Sequence, residues 1–354
     1  MTKEHRQEYH QNRTRRIIIS SILLIALVLL AIYSLCINSF HVTFKEAWTA
    51  VFNRIKGIEP TTYIDRMIDY VAIESNAPRA IAAILIGTIL AVSGTVMQTV
   101  THNPLAEPYT IGISSAALFG VTVAIILGAS VLPGAEGDMA VIANAFIFAM
   151  IPAAAIVLIS SMKKLSPNMM ILVGIGMMYI FSAFTTFLKF NASEESLEEI
   201  YRWSLGTLSG TTWSDLAPML IAAVALLVGF TLLAGRINLL MAGDSTCHSL
   251  GHNPVHLRII CFVMVSLGVA VAVCFTGTIG FVGLVAPHIA RLFVGNNNKT
   301  LIPSSALIGA LMIIISDIIV RSVPGSLPVG VVTALIGSPL FLFFLFKQRR
   351  KSTF

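Results

Sequence analysis

The chain has 354 residues, 56% of them hydrophobic and 11% charged, with a mean hydropathy of +0.85. Soluble domains carry about 25% charged residues, so a water-covered globular surface is excluded and lipid is the expected solvent for most of the exterior. The net charge of +6 and pI near 9.3 are read as a topology signal, and nucleic-acid binding is a poor explanation for them.

A helix crosses about 30 Å of hydrocarbon with roughly 20 apolar residues, because lipid offers backbone groups no hydrogen-bond partner. Apolar runs of about that length recur at 17–38, 79–99, 109–130, 139–161, 169–190, 213–234, 257–276, 279–294, 302–321 and 328–347. They do not alternate apolar with polar residues, as barrel strands would. The reading is an all-α polytopic membrane protein with about ten transmembrane helices, a single domain over 1–354.

In chain order, a basic tail (1–16) precedes the first run, whose end lacks a small-residue cleavage site, so an uncleaved helix is expected. The external segment 39–78 contains Thr43 to Ile55, a candidate amphipathic helix lying on the membrane. Ala83, Gly87, Ala91 and Gly94, and later Gly330, Ala334 and Ser338, put small residues at helical spacing, which lets backbones pack closely in lipid. The external segment 191–212 carries Glu194, Glu195, Glu198 and Glu199, read as a solvated face. Between the sixth and seventh spans lies an internal loop, 235–256. Gly277 and Gly280 break the run before the short eighth span, and Pro287 interrupts that span. A C-terminal tail, 348–354, ends the chain.

Ten spans put both termini on one side. That side holds 15 of the 23 Lys and Arg residues and sums to +11, against −4 opposite, with Asp317 inside a span. The bias places the termini in the cytoplasm; the cell (inner or cytoplasmic) membrane is the expected location.

Sites for chemistry are scarce. Cys36, Cys247, Cys261 and Cys274 have no metal or redox spacing, and no phosphate loop occurs. His248, His252 and His256 are spaced by four, but Gly251 and Pro254 interrupt the helix and only Asp244 could add a carboxylate. Neither a metal, a cofactor nor a catalytic residue is therefore expected. Asp317 is the clear intramembrane charge, and Gln98 is a polar residue near the inner end of the second span. With no intramembrane Lys, Arg or second acid assigned beside it, Asp317 reads as a packing carboxylate. A proton-coupled secondary transporter working through Asp317 is the rival. The scarcity of polar groups argues against ion coupling and for an energy source on another chain.

Several strings carry a resemblance. They are Pro78-Arg79-Ala80 with Gly87 to Gly94 and Gln98, His102-Asn103-Pro104-Leu105-Ala106-Glu107-Pro108, Tyr201 to Gly206 with Trp213, Gly280 to Arg291, and Leu327 to Ala334 with Gly337 to Phe341. In order from about 78 to 347, they resemble the FecCD family, permeases of ABC importers for iron–siderophores, haem and cobalamin. The resemblance implies a type II ABC importer permease without enzymatic activity of its own, with ATP and Mg on its partners. Those partners are a second permease subunit, identical or paralogous, two cytoplasmic ATPases and an external binding protein. A ferric siderophore is the expected cargo, with haem or cobalamin as alternatives.

The resemblance also assigns sites. Gly243, Asp244, Ser245, Thr246, Cys247, His248, Leu250 and Gly251 match the segment that docks into the ATPase, with Asp244 where Glu is usual and Cys247 where Ala is usual. Arg79 and Arg321 match external receptors for acidic residues of the binding protein; Asn76 stands where a further Arg is common, and Arg66 could substitute for it. Pro167 and Asn168 correspond by position to an inner gate.

Overall fold

The computed structural model describes residues 3–37, 42–162, 166–323 and 327–351. Asn38, Lys163, Lys164 and residues 352–354, used in the span and charge assignments, lie outside the described residues. The helices are α1 (Lys3–Ser34), α2 (Phe44–Ile55), α3 (Tyr63–Asp69), α4 (Ala77–Val100), α5 (Ile113–Leu127), α6 (Gly137–Met162) and α7 (Pro167–Lys189). They continue with α8 (Glu194–Ser204), α9 (Trp213–Met241), α10 (Asp244–Ser249), α11 (Pro254–Thr276), α12 (Val282–Val294), α13 (Asn298–Ser322) and α14 (Val329–Lys351). Among the described residues, seven helical stretches are long and apolar enough to cross a bilayer. α5, α12 and residues 329–344 of α14 are shorter apolar helices. Every expected span therefore has a helix, although three fall short of the usual crossing length.

Four boundaries differ from the sequence reading. No Pro or Gly occurs before Ser34, so α1 starts at Lys3 and absorbs most of the 1–16 tail. The 235–256 loop shrinks because α9 continues to Met241, and residues to Lys351 extend α14. The 39–78 segment is mostly helical. In it, α2 is closed by a Thr43/Glu46 capping box and sets Phe44, Trp48 and Phe52 along one side at centroid spacings of 6.3 and 6.0 Å. Phe44, Phe52 and Ile55 are exposed, as an interfacial helix requires.

The last part of that segment is a π-helical stretch, Tyr70–Asn76, running directly into α4. Its cause is local. Pro78 has no N–H to return to the preceding turn, and the helix continues in i→i+5 register, with Ala77 N–H donating to the Ala72 carbonyl. The carbonyl that Pro78 would have served in that register, Ile73 O, accepts instead from Trp213 Nε1 at 3.1 Å.

α4 is the centre of the bundle, buried almost throughout its 24 residues. It crosses α13 at Gly87 and Gly309 so closely that a Cβ on Gly87 would stand 2.6 Å from Ala310 Cα. At Gly94 a Cβ would stand 2.6 Å from Gly283 Cα, at the start of α12. Ala91 lies between the two crossings, against Gly309. The small-residue pattern of the second span is therefore a backbone-to-backbone contact, the geometry that dispersion and weak Cα–H bonding favour in lipid.

Gly87→Ala is expected to destabilise the protein by about 1–3 kcal/mol, because backbone cannot yield as a side chain can. Gly176→Ala, where an added Cβ meets nothing within 4 Å, should leave stability unchanged or raise it. Thermal unfolding of the two variants in detergent checks the contrast.

Candidate functional site

α4 spans about 36 Å, and a charged cluster sits at each of its ends. At its C-terminal end, Arg258 is nearly fully buried (2% exposed) on α11. Its Nε donates to the Val100 carbonyl at 3.1 Å, satisfying an acceptor that the helix end leaves open. Its two terminal nitrogens form a fork on Asp244, 2.9 Å from Nη1 to Oδ2 and 2.5 Å from Nη2 to Oδ1. One guanidinium thus joins α4, α11 and the first residue of α10.

α10 is a six-residue helix between two glycines with positive φ. Gly243 (φ 105°) admits the reversal from α9, and Gly251 (φ 79°) ends the helix. Cys247 is fully buried beneath it, and Asn253 caps α11 through its side chain. Ser245, His248, Ser249, Leu250 and Gly251 are exposed, with Leu250 57% so. The expected coupling residues therefore divide. Asp244 and Cys247 face the bundle as anchors, Thr246 and Gly243 are half-buried, and the rest form the outer surface. Among the described residues no group of three or more His, Cys, Asp or Glu forms a metal cluster.

At the N-terminal end of α4, the geometry corrects one expectation: Asp317 does have arginine partners, and they are Arg79 and Arg321. Arg79 Nε donates to Asp317 Oδ1 at 2.6 Å, and Arg321 Nη2 lies 2.8 Å from Oδ2. Asp317 is fully buried; the Arg321 and Arg79 side chains are 8% and 14% exposed. Both arginines do sit at helix ends, as the sequence placed them; one turn of α13 separates Arg321 from Asp317, and Arg79 in the first turn of α4 reaches the same carboxylate. Arg321 also donates to the Ser34 carbonyl (2.8 Å) and to Ser34 Oγ, while Asn76 donates to Leu35 and Ile37 carbonyls. These bonds fasten the C-terminal end of α1. Arg66, the suggested substitute, is exposed on α3.

Between the two ends, Gly277–Phe281 leaves the helical path. Gly206, Gly277 and Gly330 let three backbones meet there; Gly330 N–H donates to the Gly206 carbonyl at 3.1 Å, and Thr207 N–H donates to the Thr276 carbonyl at 2.8 Å. Phe281 opens α12 with φ 68°, a left-handed conformation costing about 1–2 kcal/mol for a residue with a side chain. Its N–H donates to Glu107 Oε1 at 2.9 Å, and Gln98 Nε2 donates to the Gly283 and Leu284 carbonyls. Glu107 keeps some exposed surface, yet its carboxyl group lies deep among protein atoms, and that desolvation raises its pKa despite the bond from Phe281.

Pro167 and Asn168 are the first two residues of α7, which Ser166 caps by accepting from Met169 N–H. A proline there fits because the first helical N–H has no partner to lose. The residues form a helix start, and Asn168 is exposed.

Sequence reasoning missed Arg258, counting it only as a basic residue on one side. The available signal was an arginine one turn inside an apolar helix that starts Asn253-Pro254, fourteen residues after the lone acid of the preceding loop.

Comparison with known proteins bears on these elements together. The model of the FecCD transport family matches residues 23–347. A Helicobacter pylori protein described as an iron chelatin transport system permease is 37% identical over 92% of this chain and 97% of its own length. A cobalamin import system permease of Halobacterium salinarum is 35% identical over 76% of this chain and 71% of its own. A solved structure described as a metal-chelate type ABC transporter in an inward-facing conformation superposes with a TM-score of 0.81. It is 30% identical and covers 93% of this chain and 99% of that one.

The Arg258 fork holds the Asp244 carboxyl below its ordinary value of 3.8, through the hydrogen bonds first and charge second. A lowered carboxyl pKa stabilises the folded form at neutral pH, and that stabilisation is lost as pH falls through the folded value. Asp244 is half exposed, so solvent screening leaves about 1 kcal/mol. Asp244→Asn should therefore speed maleimide labelling of Cys247 about fivefold at neutral pH. Pepsin cleavage of the 242–253 loop should rise between about pH 5 and about pH 2 in the unsubstituted protein and change less in the variant.

Proposed function

The chain belongs to the FecCD transport family, and from that premise we propose that it is the permease of an ATP-driven importer whose cargo is a ferric siderophore. Its relatives are iron chelate and cobalamin permeases, and cobalamin or haem is the competing cargo. Two permease subunits enclose the path, two ATPases bind the α10 face, which is the cytoplasmic one together with both termini, and a binding protein delivers cargo outside.

The observation that supports this reading is the Arg258 joint. α10 offers a partner an exposed ridge, Ser245, His248, Leu250 and Gly251, while Asp244 ties the same short helix to Arg258 and through it to Val100 at the end of α4. A push on α10 is thereby delivered to the helix that contacts α9, α11, α12 and α13. Alternating access follows if ATP-driven closure of the ATPases moves α10 and α4 as one body between two packed states. Asn168, at the start of α7 on the same face, is the proposed gate residue with Pro167.

On the external face, Arg79 keeps more exposed surface than Arg321 and is the proposed contact for an acid of the binding protein, with Arg321 holding α1. Proton coupling through Asp317 is the weaker reading. Both oxygens of Asp317 are engaged by guanidinium groups and its side chain is fully buried, a geometry that suits a permanent clasp between helices.

Uptake into proteoliposomes separates the two. ATP-dependent accumulation of a ferric siderophore should require the ATPase and the binding protein, and Arg258→Gln should uncouple ATP hydrolysis from uptake by about tenfold or more. Concentration of cargo by the permease alone under a proton gradient, abolished by Asp317→Asn, would overturn the proposal.

A further inference from the structure

A cavity of about 340 Å³ opens at the α10 end, lined by Gln98, Thr99, His102, Met241, His288 and Arg291 among others. No Asp or Glu lines it. Arg291 is half-buried on α12, and among the described residues it makes neither an ion pair nor a hydrogen bond. A guanidinium withdrawn from water without a counter-charge is costly, and an anion in the cavity removes that cost.

Two neighbours ask for something else. The Gln98 side chain is 3% exposed, its Nε2 is spent on the Gly283 and Leu284 carbonyls, and its Oε1 has no partner. His288 Nδ1 lies 2.7 Å from the Leu284 carbonyl, which can only accept, so Nδ1 carries the proton. The neutral ring then has Nε2 as an acceptor. The cavity therefore combines one cationic fork with two acceptors that need hydroxyl or N–H donors. A carboxylate satisfies the first and not the others, and hydrogen phosphate, with one hydroxyl, satisfies one acceptor and leaves the other open.

The rim adds a third property. Met241 and Leu301 put apolar side chains in the lining, Met241 45% exposed, and Leu105 and Leu292, the chain neighbours of the lining residues Pro104 and Arg291, are 48% and 56% exposed. Basic pockets between helices near the membrane surface hold anionic lipid headgroups.

We propose that this cavity binds a hydroxyl-bearing phosphodiester, the phosphoglycerol headgroup of an anionic phospholipid, with its phosphate on Arg291 and glycerol hydroxyls donating to Gln98 Oε1 and His288 Nε2. The acyl chains lie along the apolar rim. The site is independent of the cargo, so its failure and the failure of the importer reading are separable.

Native mass spectrometry of the full chain, released from nanodiscs of phosphatidylglycerol mixed equally with phosphatidylethanolamine, tests it. Phosphatidylglycerol should be retained preferentially, and Arg291→Met should lower that retention by roughly fivefold, the value of about one basic residue near a membrane surface. Asn296→Asp is the second variant. Asn296 is exposed on the cavity lining, so folding is preserved while a carboxylate is added to the lining that Arg291 shares, and retention should fall likewise. Free glycerol 1-phosphate should not displace the lipid if the chains contribute; displacement at micromolar concentration would assign the site to the soluble headgroup and overturn the lipid proposal. Equal retention of both lipids, or unchanged retention in Asn296→Asp, would also overturn it.

Discussion

The near-contact of the α4 backbone with α13 and α12 is the constraint on which the other features depend. Hydrophobic driving force is absent between helices already in lipid, and close approach must supply the attraction through dispersion. Gly87 against Gly309 and Gly94 against Gly283 remove the side chains that would hold these helices apart. Because the contact runs along α4, the helix acts as a stiff member, and whatever is fastened to either end is held at a fixed distance from the other.

Each end is fastened by an arginine that reaches across helices. Arg258 satisfies the open Val100 carbonyl and grips Asp244; Arg321 grips Asp317 and the last carbonyl of α1. The chemistry is alike, a planar multi-donor group meeting a carboxylate and helix-end acceptors. The setting differs. Asp317 is fully buried, which suits a permanent clasp, whereas half of the Asp244 side chain faces solvent, where a partner can load the joint.

Irregular backbone occurs where neighbouring groups satisfy it. The π segment before Pro78 has Trp213 on its freed carbonyl, and the left-handed Phe281 has Glu107 on its N–H. Non-helical backbone at membrane depth is tolerated only where protein supplies the missing bonds, and here single side chains from distant helices do so. The break at Gly277–Phe281 leaves α12 a short helix beginning inside the bundle, and discontinuous helices of this kind are the parts of a transporter best able to move separately.

Hydropathy alone determined that the chain lives in lipid and where its apolar helices fall, because those properties depend on neighbours in sequence. Gly87, Ala91 and Gly94 were legible as a packing face for the same reason, and the family strings marked α10 as a separate element. Which charges meet was decided only by tertiary structure. Arg79 finds Asp317 across 238 positions, Arg258 finds Val100 across 158, and Glu107 finds Phe281 across 174. Such pairings depend on the rotation and register of one helix against another to within a fraction of a turn, and a pattern read along a single strand of sequence fixes neither.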